Sequence, residues 1–298
     1  MPDGVCVAAV QPPFPEGKAG HQRMVEAGIR LAGDAAKAGA KVICLPEYFG
    51  VFGLPENAVY PGPDRDGVLK ELAVLARSHG AAILYPTLEP DEAERFNTTW
   101  LVDPKGDLAG KYRKVHLTRT EREAKGLSSG DDFPVFRIGD LVFGVMVCYD
   151  VYFPESARIL ALKGARAVFF PSLQRNATES LLALQVRSRA VDNCVYVVRS
   201  SYGYPASKSW NPGMMVGLSC IVDWDGEILA NLGHNEGFLT AVIPQQPRPR
   251  KTSFDGPEDD PRDFLFEDRR PEAYQALCQR RAKAAGDESH PPTKPKGT

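Results

Sequence analysis

The sequence has no excess charge of either sign, no long apolar stretch and few cysteines, and each shortage removes a class of function. Across 298 residues, 36 Lys and Arg stand against 38 Asp and Glu, a formal net charge of -2, and no basic run reaches five residues. A broad electrostatic grip on nucleic acid or on an anionic membrane surface is therefore not expected. No window approaches the ~18 consecutive apolar residues of a membrane span. The opening MPDGVCVAAVQPPF lacks a basic stretch before its short apolar run, so neither export nor anchoring is expected, and the cytoplasm is the expected location. The six cysteines (Cys6, Cys44, Cys148, Cys194, Cys220 and Cys278) include no CxxC pair, and most lie inside apolar runs. That pattern fits neither a disulfide framework nor a zinc cage. Phosphate loops of the GxxxxGK type, GxSxG elbows and HExxH helices are also missing, which leaves nucleotide-dependent, serine-hydrolase and zinc-protease readings without support. Two N-x-T matches, Asn97 to Thr99 and Asn176 to Thr178, would matter only in a secreted chain and are read as chance.

What is present is an ordinary globular composition, 43% apolar and 25% charged, arranged in alternating strand and helix patterns. VCVAAVQ (5–11) reads as a buried strand, 19–38 as a helix stopped at Gly39, KVICLPE (41–47) as a strand, a helix follows from Asp66 to Gly80, and AAILYPTLE (81–89) is a strand. Hairpins come next: TTWLVDP with DLAGKYRK, then VFRIGD with LVFGVMVCYD. The alternation resumes with a helix opened by Pro154 and stopped at Gly164, the strand ARAVFFPS, a helix over 178–191 and the strand NCVYVVRSS. A hairpin at Asp225-Gly226 and the run GFLTAVI close the regular part. Two α/β stretches, each carrying hairpins, predict an α/β fold built as a four-layer α-β-β-α sandwich with two packed mixed sheets. Residues 1–243 form the expected domain. Residues 244–298 hold 9 prolines and 21 charged residues in 55 positions, poor material for a core. They are read as an arm, with a short docking helix at 269–277 and a mobile end after about Ala284.

In open α/β sheets ligands gather at the carboxyl ends of strands, and three reactive side chains sit there: Glu47 after VICLP, Lys114 after GKYR and Cys148 after VFGVMV. A thiol attacks only as thiolate, so a catalytic Cys148 needs a base and a nearby cation. Glu47 and Lys114 supply both. His116 is a rival base, because a strand that turns Lys114 inward would turn His116 the same way.

The segments LPEYF (45–49), YRKVHL (112–117) and CYDVYFPESAR (148–158) resemble the signature blocks of the nitrilase superfamily, the carbon-nitrogen hydrolases, in order and at fitting separations. The likeness continues through FNTTWLVDPKGDLAG, RSRAVDNCVYVVRSS and GLSCIVDWDGEILA and covers roughly residues 5–277. The resemblance implies Glu47 as general base, Lys114 as oxyanion stabiliser and Cys148 as nucleophile. It implies a second acid at Glu121, seven positions after the lysine, with Glu123 as the alternative register. The backbone N–H of Tyr149 would share the oxyanion, and no metal or other cofactor is implied. Glu155 is left to the first turn of its helix. Cys-Tyr-Asp followed by Phe-Pro-Glu resembles amidase-like and carbamoylase-like branches, whereas nitrile hydrolases commonly have Cys-Trp-Glu.

The expected function is thus hydrolysis of a small-molecule amide to a carboxylic acid and ammonia through a Cys thioester. An N-carbamoyl amino-acid hydrolase is the alternative, with a nitrile hydrolase or an inactive binding or assembly relative ranked below both. After FFPS, where several branches place a Trp, this chain has Leu173-Gln174-Arg175, and Arg175 is a candidate contact for an acidic substrate group. A homodimer or higher homo-oligomer is expected, since relatives pair their sandwiches and the arm needs a surface to lie on.

Overall fold

The computed structural model describes residues 4–55, 60, 62, 67–174, 178–205, 217–246, 249–251 and 256–279. Strand β1 (Gly4–Gln11) sends Val7 and Ala9 into one buried cluster and Ala8 and Val10 into another, as a period of two requires. The helices α1 (Gly20–Lys37) and α2 (Gly67–His79) cover the second cluster with Met24, Leu31, Ala32, Leu72 and Ala76. The same division runs through β2 (Val42–Cys44) and β3 (Ala82–Asp91). Val42, Cys44, Ala82 and Leu84 face the interior between the sheets, and Ile43, Ile83 and Tyr85 face the helices.

β1, β2 and β3 are mutually parallel neighbours, after which β4 (Glu94–Val102) and β5 (Leu108–Arg113) fold back antiparallel in turn. Two reversals leave β5 running in the direction of β3. The second half of the chain lays down β6 (Val135–Ile138), β7 (Leu141–Val145), α3 (Pro154–Leu162), β8 (Ala167–Pro171), α4 (Glu179–Asn193), β9 (Tyr196–Ser200), β10 (Cys220–Val222) and β11 (Ile228–Asn231). Within it β7, β8 and β9 are parallel neighbours. The last long strand, β12 (Gly237–Pro244), crosses back and pairs along the whole of β1, from Gly4↔Pro244 to Gln11↔Gly237. The result is two six-stranded mixed sheets, β12-β1-β2-β3-β4-β5 and β11-β10-β9-β8-β7-β6. The expected α/β sandwich is the observed fold. Among the described residues no helix is long and apolar enough to cross a membrane.

Three local features differ from expectation. The β3–β4 pair extends to Asp91↔Glu94 around Glu92, held at φ 52°, although neither Gly nor Asn marks this turn. In the arm, α5 (Pro261–Glu267) is capped by Asp260 accepting from the Arg262 N–H at 2.9 Å, and its Leu265 and Phe266 pack against the sandwich core. No apolar periodicity announced it. The anticipated helix at 269–277 consists instead of two short 3-10 turns, Pro271–Ala273 and Gln275–Cys278. The segment after Ala284 lies outside the described residues.

Candidate active site

Each expected catalytic side chain follows a strand end. The chain leaves β2 at Cys44, and Glu47 comes three residues later, 1% exposed, with its main-chain oxygen accepting from the Tyr202 hydroxyl at 2.8 Å. Lys114 follows β5 directly, also 1% exposed, and its main-chain N–H donates to the Asn97 carbonyl of β4 at 2.8 Å. Because β5 points the way β3 does, Lys114 emerges at the edge that carries Glu47. Cys148 lies three residues beyond β7 at φ 47°, in the left-handed region that an L-residue enters only when its surroundings enforce it.

The enforcing group is the fully buried Asp150. Its carboxylate accepts from the Val147 N–H (2.7 Å), the Tyr112 hydroxyl (2.6 Å) and the His116 N–H (3.1 Å). It also holds the His116 ring at Nδ1 (2.8 Å). These bonds tie the turn bearing Cys148 to the segment bearing Lys114.

The Lys114 ammonium donates to Glu47 Oε1 (2.8 Å) and to both oxygens of Glu121 (2.9 Å each). Glu121 also accepts from the Tyr48 hydroxyl at 2.7 Å and the Thr118 N–H at 2.8 Å. The Asn97 amide nitrogen lies 2.9 Å from Glu47 Oε1 and 3.0 Å from Glu121 Oε1, and the Leu173 N–H donates to Glu47 Oε2 at 3.0 Å. Burial works against the Lys114 charge, but the anionic groups around it, Glu47 foremost, outweigh that and hold its pKa well above the ordinary value. Burial likewise opposes ionisation of Glu121, yet Lys114 and the Tyr48 hydroxyl lower its pKa from 4.5 to about 2. At Cys148 burial and then the Glu47 carboxylate push the thiol up, with Lys114 pulling the other way. Burial and Glu47 thus make the thiol harder to ionise than a free one, and a neighbouring base that takes its proton generates the nucleophile.

Glu47, Lys114, Glu121, Cys148 and Tyr149 line one cavity of about 450 Å³, with Tyr48 and Leu173 on its walls. Of the two candidate registers the structure brings in Glu121. Glu123 points outward to Arg119, 2.7 Å away. The rival base His116 is corrected: the chain leaves β5 before reaching it, so strand alternation no longer governs, and its ring stacks on Phe153 at 3.7 Å while bonding Asp150. Glu155 is exposed in the first turn of α3. Arg175 lies outside the described residues, and its neighbour Gln174 is buried against Ser172 and Gln185.

Sequence reasoning missed Tyr48, Asn97 and Asp150, although each stands in or beside a quoted block. Asn97 had a visible signal in its N-x-T context, but the fully buried side chain serves the acid pair.

A profile of the carbon-nitrogen hydrolase family matches residues 6–248. Human omega-amidase NIT2 is 34% identical over 224 residues, 70% of this chain and 79% of that protein. The Xenopus tropicalis omega-amidase NIT2 is 32% identical over 228 residues, 72% and 80% respectively. Among solved structures, an amidase from Nesterenkonia sp. superposes with a TM-score of 0.74 at 25% identity, covering 93% of this chain and 97% of that one. A mutant of that amidase, also at TM-score 0.74, 25% identity and the same coverage, shows covalent addition of the acetamide moiety of fluoroacetamide at its active-site cysteine. The chain thus belongs to the carbon-nitrogen hydrolase family, as a cysteine-dependent amidohydrolase.

Proposed function

We propose that the protein hydrolyses small-molecule amides in two acyl-transfer steps run by Cys148, Glu47 and Lys114, with Glu121 in support. The observation that carries this reading is the Lys114 ammonium clamped between two carboxylates in the cavity that the Cys148 thiol also lines. Glu47 takes the thiol proton, and the sulfur attacks the amide carbon. The new oxyanion is held by Lys114 and by the Tyr149 N–H, at the start of a 3-10 turn (Cys148–Tyr152) where the first N–H groups have no partner within the turn. Glu47 returns its proton to the departing ammonia, then activates the water that cleaves the thioester. Glu121, ionised and bonded on both oxygens, keeps Lys114 charged and in place throughout.

The named amidases among its relatives favour amides, and the N-carbamoyl amino-acid alternative is not favoured. Ammonia release is the test, screened over short amides, dicarboxylic acid monoamides, carbamoyl amino acids and nitriles, with Cys148→Ala as control. Amide turnover that vanishes in Cys148→Ala, with an acyl adduct on Cys148 by mass spectrometry, is the expected result. Turnover in Cys148→Ala, or an adduct on Cys44 or Cys194, overturns it.

Arg175 is proposed to contact an acidic group on the substrate. Arg175→Ala should then slow a carboxylate-bearing amide without slowing its neutral analogue, and equal loss on both overturns this role. We propose further that residues 1–243 are the catalytic domain and 244–298 an arm, and that the protein is a cytoplasmic homo-oligomer. Six free thiols suit a reducing compartment.

A further inference from the structure

We infer that Asn97 is a positioning residue that determines which oxygen of Glu47 exchanges protons with Cys148. It sits on β4 opposite Leu88 of β3, on the inner face of the sheet, and is fully buried. One amide nitrogen carries two hydrogens, and here each has a separate carboxylate, Glu47 Oε1 at 2.9 Å and Glu121 Oε1 at 3.0 Å. The reverse amide orientation would set Oδ1 against two carboxylate oxygens, so electrostatics fixes the observed one. Its consequence is a buried Oδ1 without a hydrogen-bond partner among the described residues. A buried orphan acceptor is a stability cost that native structures mostly avoid. The two bonds to Glu47 and Glu121 are what the amide orientation provides in return.

A carboxylate oxygen offers two lone pairs. Glu47 Oε1 has both engaged, one by Lys114 and one by Asn97, whereas at Oε2 the N–H donor among the described residues is Leu173. The free lone pair is therefore on Oε2. The thiol proton moves from Cys148 Sγ to Oε2, the S–H electron pair stays on sulfur, and the O–H formed at Oε2 later breaks as the proton passes to the departing ammonia. A neutral, non-titrating donor suits this task, because it orders two like charges without adding one of its own. The other charged or titratable groups about Glu47 are Lys114, Glu121, Cys148 and the phenols of Tyr48 and Tyr202.

The inference rests on Glu47 as the base, and the experiment separates the two. Parent, Asn97→Leu and Asn97→Asp are compared by thermal melting, by kcat and KM for amide hydrolysis, and by pH profiles of kcat/KM and of Cys148 alkylation by iodoacetamide. In Asn97→Leu, kcat should fall about 100-fold with KM changed less than about threefold. The acid limb of both profiles should move up by about half a pH unit or more, because a carboxylate that loses a donor holds its proton more tightly. Asn97→Asp, close to isosteric, should move the limb further by adding a third negative charge, and it carries the test alone if Asn97→Leu does not fold. Acid limbs that superimpose on the parent's would overturn the positioning role whatever happens to kcat. A parent without amide turnover, or turnover surviving in Cys148→Ala, would instead overturn the proposed mechanism.

Discussion

Lys114 is bonded to two buried carboxylates at once, so its removal differs in kind from removal of the thiol. Lys114→Met should abolish turnover and also destabilise the fold by about 3–5 kcal/mol, since it strands buried negative charge without a partner. Cys148→Ala should abolish turnover while melting close to the parent, and thermal denaturation beside ammonia release distinguishes the two outcomes. Parent-like melting of Lys114→Met would contradict the clamp. Glu121 gives a pH test at the same scale. Its pKa lies near 2 in the folded chain against an ordinary 4.5. Between those values the unfolded chain binds the extra proton, so the contribution of Glu121 to stability is complete above pH ~4.5 and is lost as the pH falls towards 2. The shift corresponds to roughly 3 kcal/mol at neutral pH. Glu121→Gln should accordingly flatten the acid side of a stability curve measured by urea titration at successive pH values. An unchanged acid slope would show that the pair with Lys114 is weaker than its geometry.

Besides the bonds of Asp150, close packing of α3 on β7 confines the turn that bears Cys148. α3 lies directly on β7 at Gly144, where an added Cβ would come within 2.3 Å of Leu160 Cδ2. Gly144→Val must displace the Leu160 side chain and crowd α3 against β7, and overpacking of this kind costs about 1–3 kcal/mol. The expected outcome is a lower melting temperature together with reduced kcat, because the turn over 148–152 joins these two elements. A variant that melts lower yet keeps full kcat would mean that Asp150 alone fixes the turn. β4 and β5 have the matching duty across the cleft, where the register Thr98↔Arg113 sets Lys114 beside Asn97.

For the molecule as a whole, α5 covers part of the sandwich core. Leu265 and Phe266 of α5 lie on the core, and Phe266 also stacks under the Arg158 guanidinium at 5.8 Å. Truncation after Ile243 should uncover this apolar surface, lower the melting temperature and weaken assembly as measured by light scattering. A full-length monomer whose melting temperature is unchanged by truncation would reduce the arm to a tail.

The layers of the sandwich are legible in the sequence, as are the candidate side chains at its strand ends. Alternation within 5–11 already separates Val7 and Ala9 from Ala8 and Val10, and Gly39, Gly80 and Gly164 stop their helices with positive φ. Both signals are local, since side-chain period and backbone handedness act within a few residues. Glu47, Lys114 and Cys148 could be singled out as candidates because each follows a strand pattern in the sequence. The tertiary structure places Glu121 against Lys114 and Glu123 outward, turns His116 to Asp150, and makes Asn97 a donor shared by two acids 50 and 24 residues away in sequence. Local patterns in a charged turn do not specify which carboxylate points inward. That is settled by a cation arriving from another strand, and so by sheet order and register.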